Sequence, residues 1–286
     1  MLPSIAFSRQ LLWLVAGGLI TAAWPQHSRA ETDVKLDARY QATIAGVPIG
    51  SGRWWLEIHD DKYSAAASGA TSGWLKVFTS GEGKTIAQGT VANGQPVPRR
   101  YDSTIVANKK TDEVEMALEG GDVKKVTVKP ETPPNPERVP ITDAQRHAVI
   151  DPMTAALVRV SGNGNPLSAD ACNRSAPIFD GRLRYDLRLA YKRMDRVKAE
   201  KGYEGPVVVC AVYFSALAGH IPGRRVITYL TEERDMEVWL APVAGTRVVV
   251  PFRISVPTPI GLGILEATQF ITTATKSPLR TGAKTQ

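Results

Sequence analysis

The sequence predicts a mainly β protein: an antiparallel curved sheet, or an open (broken) barrel, wrapped around one short helix. Apolar and polar residues alternate with period two along many short segments, which is typical of half-buried strands. Turn residues separate these segments at intervals of about ten residues, as in antiparallel meanders. Because strands do not alternate with long amphipathic helices, a parallel α/β sheet is disfavoured.

An N-terminal strand array is predicted from about residue 34 to residue 129. In the segment Arg53–His59, Trp54 falls on one face and Trp55 on the other. Turn pairs such as Ala45-Gly46 and Asn108-Lys109 separate the segments. The predicted strands are 34–44, 53–59, 62–71, 74–80, 85–91, 100–107, 113–118 and 123–129.

A proline-rich connection and a helix are predicted for residues 130–168. Prolines crowd the segment 130–140, which indicates an extended chain. Asp151 can cap the free amides of a helix, and Pro152 suits the first helical position. The apolar stripe that follows predicts a helix packed on the concave side of the sheet; it consists of Met153, Ala156, Leu157 and Val160.

A C-terminal strand array is predicted for residues 176–272. Five apolar residues alternate with charged ones and line one face of a long strand: Leu183, Tyr185, Leu187, Leu189 and Tyr191. Another strand covers 247–254, where Pro251 predicts an edge strand or a bulge because proline cannot donate to the ladder. We expect residues 31–273 to form a single domain, with two separate domains as the alternative, and residues 274–286 to form a flexible tail.

The first thirty residues predict a cleavable signal peptide. An apolar run from Leu11 to Ala23 is shorter than the roughly 20 residues that span a bilayer. Small residues at Ser28 and Ala30 suit a signal peptidase, so we expect cleavage after Ala30 and a periplasmic location. An uncleaved anchor is the alternative. The rest of the chain has no apolar run of membrane-spanning length, so no transmembrane span is expected after cleavage.

The formal net charge of +7 falls to +5 when Arg9 and Arg29 are removed with the signal peptide, which carries no acidic residue. The basic residues form no long block. Export and this modest charge disfavour a nucleic-acid partner.

Cys172 and Cys210 are the only cysteines. An even pair in an oxidising compartment favours a disulfide. Neither cysteine has another ligand at zinc spacing, so no metal site is expected. Cys210 lies in the apolar run 207–212, whereas a catalytic thiol needs a partly exposed, electropositive site.

No catalytic motif is present, and neither a catalytic residue nor a cofactor is predicted. His220 lies in a glycine- and proline-framed loop, where it could bind a ligand or simply bond to the backbone. Asp180 fits a tight turn before the long strand. Trp54, Trp74 and Trp239 are candidate ligand contacts if the curved sheet encloses an apolar pocket; filling of the core is the alternative.

The order and spacing of several segments resemble exported proteins of the domain-of-unknown-function family 3108, of the alphaproteobacterial type. The resemblance covers roughly residues 34–270, and no single motif carries it. It implies no catalytic residues. These segments are Tyr40–Gly50, Gly73-Trp74, Asp151-Pro152, Cys172, Phe179–Arg182, Tyr203–Pro206 with Cys210, and Ala218–His220.

The sequence alone leaves three functions open. The first is a non-enzymatic periplasmic protein that binds a lipid, another apolar ligand or an envelope component and supports cell-envelope integrity. The second is a periplasmic hydrolase acting on envelope material, with His220 and Asp180 as candidates. The third is an interaction module that presents the arginine face of one strand to an anionic partner; its residues are Arg182, Arg184 and Arg188.

Overall fold

The computed structural model describes residues 32–59, 61–72, 81–92 and 94–276. Three predictions fall outside these ranges: the signal peptide with its cleavage at Ala30, the strand 74–80 with Trp74, and the tail beyond residue 276. Residues 274–276, assigned to the tail from the sequence, instead continue the last strand. They pair there with the first three described residues of the chain.

The described residues form a single, mainly antiparallel sheet of 15 strands. Seven precede the proline-rich connection: β1 (Thr32–Ile44), β2 (Val47–His59), β3 (Lys62–Thr71), β4 (Gly81–Ala92), β5 (Gln95–Ala107), β6 (Lys110–Glu119) and β7 (Asp122–Lys129). Eight follow it: β8 (Val158–Arg159), β9 (Arg174–Phe179), β10 (Arg184–Lys198), β11 (Lys201–Gly202), β12 (Glu204–Ala218), β13 (Glu237–Pro242), β14 (Val248–Thr258) and β15 (Gly261–Lys276).

The order of strands is β7-β6-β5-β4-β3-β2-β1-β15-β14-β13-β12-β10-β9, with β8 and β11 attached to β14 and β15. The first and last strands of the chain therefore pair, and this pairing joins the two arrays. Tight turns set the hairpin registers. Ala45 and Gly46 both have positive φ, as a two-residue hairpin turn requires, and so do Asn108 and Lys109.

The sheet is not closed, because its edge strands β7 and β9 are not paired with each other in the described chain. Residues 149–150 bridge the gap: the Val149 amide donates to Gly121 beside β7 (2.8 Å), and the Ile150 amide donates to Pro177 of β9 (2.9 Å). The Arg182 guanidinium also crosses it, donating to Asp112 and to the Pro130 carbonyl. The predicted open barrel is thus confirmed, with its opening spanned by a loop and one arginine.

The predicted helix begins as expected but is only one turn long. This helix, α1 (Pro152–Ala155), is capped by Asp151, whose carboxylate accepts from the Thr154 amide (2.9 Å). The predicted stripe does not continue to Val160, because the chain leaves the helix and forms β8 against β14. Two β-branched residues, Val158 and Val160, favour that extended conformation. A second helix, α2 (Arg225–Glu232), is not predicted by the sequence pattern; none of its residues is buried.

Bulges in β14 and β10 explain the positions of Pro251 and Tyr191. Pro251 lies beside a register shift in β14, a central strand, so of the two predicted alternatives the bulge is correct. The register of β10 against β12 shifts between Tyr191 and Arg193, and this bulge changes which side chains of β10 face the core. Tyr191 is consequently 48% exposed, unlike the partly buried Tyr185, Leu187 and Leu189 that precede it on the predicted face.

The core has three buried apolar clusters. The largest packs residues of β1 and β2, such as Leu36 and Leu56, against Phe252 and Phe270. A third cluster, around Met116 and Phe179, lies near the gap in the sheet. The remaining cluster lies beneath the segment 158–172 and contains the predicted disulfide, which joins the buried Cys172 to Cys210 of β12.

Asp151 is fully buried, and this burial raises the pKa of its carboxyl group. The folded protein therefore binds this proton more readily than the unfolded chain does. The ionised form opposes folding above the raised pKa, and that penalty disappears as the pH falls below the ordinary carboxyl pKa. We predict that Asp151→Asn, which retains a capping oxygen, is more stable than the wild type at neutral pH, by a margin that shrinks towards acidic pH. Urea denaturation at several pH values measures this.

The control for that prediction is Asp151→Ala, which removes the cap. We expect this variant to lose about 1 kcal/mol of unfolding free energy at neutral pH. A margin between Asp151→Asn and the wild type that is independent of pH would contradict the proposed titration of Asp151.

Candidate binding site

The concave side of the sheet contains a hollow of about 470 Å³, called the larger hollow below. Strands β1, β2 and β3 form its floor, and β14, β15 and the end of α1 complete it. Its lining is mostly small or apolar: Tyr40, Ala42, Ile49, Gly50, Ser51, Gly52, Arg53, Trp54, Ala67, Ser68, Gly69, Ala70, Thr71, Met153, Ala156, Pro251, Ile254 and Leu265.

Small residues in register create this space. Ala42 pairs across β1 and β2 with Gly50, and Gly52 pairs across β2 and β3 with Gly69. Two glycines facing each other leave the sheet without side chains at that point. A Cβ added at Gly52 would lie 3.0 Å from the Ser68 carbonyl oxygen, so the strands also approach closely there.

Two aromatic residues, Trp54 and Tyr40, line the larger hollow. Trp54 is only 7% exposed, and its buried indole N–H has no hydrogen-bond partner among the described residues. Tyr40 is also buried, and its hydroxyl donates to the Pro251 carbonyl (2.7 Å). Burial raises the pKa of Tyr40, so its hydroxyl stays protonated. The site thus offers apolar surface, and one donor without a partner is buried in its wall.

The three candidate ligand contacts that the structure describes lie in different places. Trp54 lines the larger hollow, whereas Trp239 is buried in the largest core cluster, where its N–H donates to Asp195 (2.9 Å) and Arg253 stacks over its ring. Trp74 is outside the described residues. His220 lies in the loop after β12 and is not among the residues that line the larger hollow.

The loop that contains His220 is hydrogen-bonded to the proline-rich connection. The Val139 amide donates to the His220 carbonyl, and the Gly219 amide donates back to Val139. Gly219 has a φ of +82°, and a Cβ there would lie 1.9 Å from the Arg182 carbonyl oxygen. The loop is therefore tightly packed, and glycine is required at this position.

The contacts of Asp180 and His220 do not support these residues as the catalytic pair of a hydrolase. The Asp180 carboxylate accepts from the amides of Arg182 and Leu183, which is the predicted turn role. Burial raises the pKa of Asp180. The Nδ1 atom of His220 is buried and has no partner in the described chain, so no hydrogen bond links it to Asp180.

The predicted arginine face is largely engaged within the protein. Arg182 binds Asp112 across the gap in the sheet, and Arg184 binds Asp186 (2.6 Å). Arg188 lies over the ring of Tyr213, 4.1 Å from its centroid. Two of the three cations are therefore already ion-paired.

The described residues include no helix long and apolar enough to cross a membrane. They also include no group of three or more His, Cys, Asp or Glu residues that could hold a metal ion.

Sequence reasoning missed most of the larger hollow. Only Trp54 was identified in advance. The available signal was Gly69 inside the predicted strand 62–71, since a glycine within a strand marks a close approach or a missing side chain. Gly50 and Gly52 precede the predicted strand 53–59 and became strand residues only in the structure.

Comparisons with known proteins give one family. The model of a family described as "Protein of unknown function (DUF3108)" matches residues 39–268. No curated protein matches the chain. A similar solved structure is the crystal structure of a beta-barrel-like protein of domain of unknown function DUF1849 from Brucella abortus. The two chains share 10% identity with a TM-score of 0.47, and the alignment covers 85% of this chain and 98% of that one. The alphaproteobacterial subtype stays a prediction. The family match spans both strand arrays and the connection between them, and the chain therefore belongs to the DUF3108 family.

Proposed function

We propose that this protein is an exported, non-catalytic binding protein that holds the acyl chain of an amphiphile and supports the cell envelope. The larger hollow is the observation that carries this proposal. Its volume of about 470 Å³ lies within the range of roughly 300–1,000 Å³ that is usual for small-molecule pockets. Because its lining is apolar, burial of a hydrocarbon chain there is favourable.

Trp54 supports an amphiphile over a pure hydrocarbon. A buried donor without a partner costs free energy, and such groups need an explanation. A hydroxyl or carbonyl oxygen of a bound molecule would accept from the Trp54 N–H. The hollow would thus take an apolar chain together with one polar oxygen.

Exposed apolar residues suggest where the ligand enters. The β1–β2 and β14–β15 turns lie together, with the Ala45 amide donating to the Leu262 carbonyl (3.0 Å). Val47 is 42% exposed and Ile260 75% exposed at these tips. Lining residues of the larger hollow follow within a few positions along each strand. An apolar tip of this kind suits contact with a membrane or with a ligand that leaves one.

Export and a periplasmic location rest on the first thirty residues. The Cys172–Cys210 disulfide supports this part of the proposal, because such bonds persist in oxidising compartments. The hydrolase and the anionic-partner module have no comparable support, since Asp180 serves a turn and Arg182 and Arg184 form internal ion pairs.

The first test is binding of a neutral apolar fluorophore, N-phenyl-1-naphthylamine, to the mature protein, with decanol as competitor. We expect saturable binding that decanol displaces. Mass spectrometry of organic extracts from protein purified out of the envelope should show a co-purifying amphiphile. Absence of both fluorophore binding and extracted amphiphile would overturn the proposed function.

Trp54→Phe tests the donor while keeping an aromatic ring. We predict that its affinity for decanol falls about fivefold, the equivalent of one hydrogen bond of about 1 kcal/mol. Binding of the fluorophore should persist. Trp55→Phe is the matched control, because the adjacent side chain lies on the opposite face of the strand; an equal loss in both variants would count against the role of Trp54.

A further inference from the structure

A second, smaller hollow of about 230 Å³ adjoins the larger one. Ala156, Pro251 and Ile254 line both. Most of the remaining lining residues of the smaller hollow are aliphatic, including Leu187 and Leu189 of β10 and Leu240 of β13. The two hollows therefore share part of their walls.

One charged side chain lines the smaller hollow, that of Arg174. It is the first residue of β9 and pairs with Leu189 of β10. The disulfide at Cys172, two residues earlier, ties this part of the chain to β12. Arg174 therefore projects from a fixed backbone.

Arg174 is partly buried and forms no ion pair or side-chain hydrogen bond with any residue that the structure describes. Burial lowers the pKa of its guanidinium, and no neighbouring carboxylate opposes that shift. Partial removal of a cation from water without a counter-charge costs free energy, and buried cations are normally paired.

Three other arginines on or beside these strands have partners within the protein. Arg193 forms a two-pronged pair with Glu237, with both N–O distances at 3.0 Å. Arg253 lies beside Glu266 (3.7 Å), and Arg247 donates to the Val160 carbonyl (2.9 Å). Arg174 differs from these three, because no described residue forms an ion pair or side-chain hydrogen bond with it.

We infer that Arg174 binds the oxyanion head group, a carboxylate or a phosphate, of a single-chain amphiphile whose hydrocarbon tail lies in the two adjoining hollows. The planar guanidinium matches both head groups with paired hydrogen bonds. This inference rests on the proposed function and adds to it a preference for anionic ligands.

Competition against N-phenyl-1-naphthylamine tests the preference, using decanoate, decyl phosphate and decanol. We expect the wild type to bind at least one of the two anions about tenfold more tightly than decanol. In Arg174→Met the anions should lose this advantage, while the affinities for decanol and for the fluorophore stay within about twofold. Arg174→Lys should retain part of the preference, because a point charge remains.

Arg188→Met is the matched control: it removes an exposed arginine from the neighbouring strand and should keep the anion preference. The ratio between decanoate and decyl phosphate identifies the head group. Fluorophore binding with equal affinity for anions and decanol in the wild type would overturn the role of Arg174 and leave the proposed function standing. Absence of fluorophore binding together with absence of an extracted amphiphile would overturn the proposed function itself. An anion preference that survives in Arg174→Met would place the anion elsewhere.

Discussion

Replacing both cysteines by alanine is expected to lower the free energy of unfolding by about 4 kcal/mol. The bond closes a loop of 38 residues, and opening it increases the entropy of the unfolded chain by roughly that amount in the chain-entropy model. Both sulfurs are also fully buried among apolar side chains. Urea denaturation of Cys172→Ala/Cys210→Ala against the oxidised wild type measures the difference.

The reduced wild type is the control for that variant. Reductant should lower the stability of the wild type towards that of the double variant, and it should leave the double variant unchanged. After loss of the disulfide, amide hydrogen exchange should accelerate first in the segment 158–172, which the bond attaches to β12. A stability within 1 kcal/mol of the oxidised wild type would mean that apolar packing alone holds this segment in place.

The sheet was predictable because its signals are local. Alternation and turn residues located the strand Lys62–Thr71 without error, and the glycine at position 46 marked a hairpin turn. The bulge at Pro251 was also foreseeable, since a proline without an amide hydrogen disrupts a central strand. These features depend on residues close together in the sequence.

The errors arose where packing over long distances decides the structure. The apolar stripe after Pro152 suited a helix, but Val158 finds hydrogen-bond partners on β14, some ninety residues later. The exposure of Tyr191 follows from a bulge whose partner strand sets the register. Neither partner can be identified from the local pattern.

The site was the least predictable part for the same reason. Its space exists because Ala42 faces Gly50 and Gly52 faces Gly69, and these pairings depend on the register of three strands. Arg174 reads in the sequence as an ordinary charged residue at the start of a strand. Its unusual position becomes visible only when β9, β10 and the segment after α1 are assembled.

Filling the larger hollow with Ala42→Phe is expected to reduce the affinity for decanol by about 100-fold, the equivalent of about 2.7 kcal/mol. Ala42 lines the hollow and faces Gly50, which has no side chain to obstruct the new ring. The ring would occupy the space that the hydrocarbon chain needs. Filling a cavity also commonly adds 0.5–2 kcal/mol of stability. The unliganded variant should therefore be at least as stable as the wild type.

This combination separates lost binding from misfolding, because a damaged fold would lower both affinity and stability. Gln41→Phe is the matched control: it places the same ring on the adjacent, exposed residue of the same strand. We expect it to bind decanol like the wild type. If Ala42→Phe folds stably and still binds decanol with unchanged affinity, the ligand lies elsewhere, and the larger hollow is a packing defect with no role in binding.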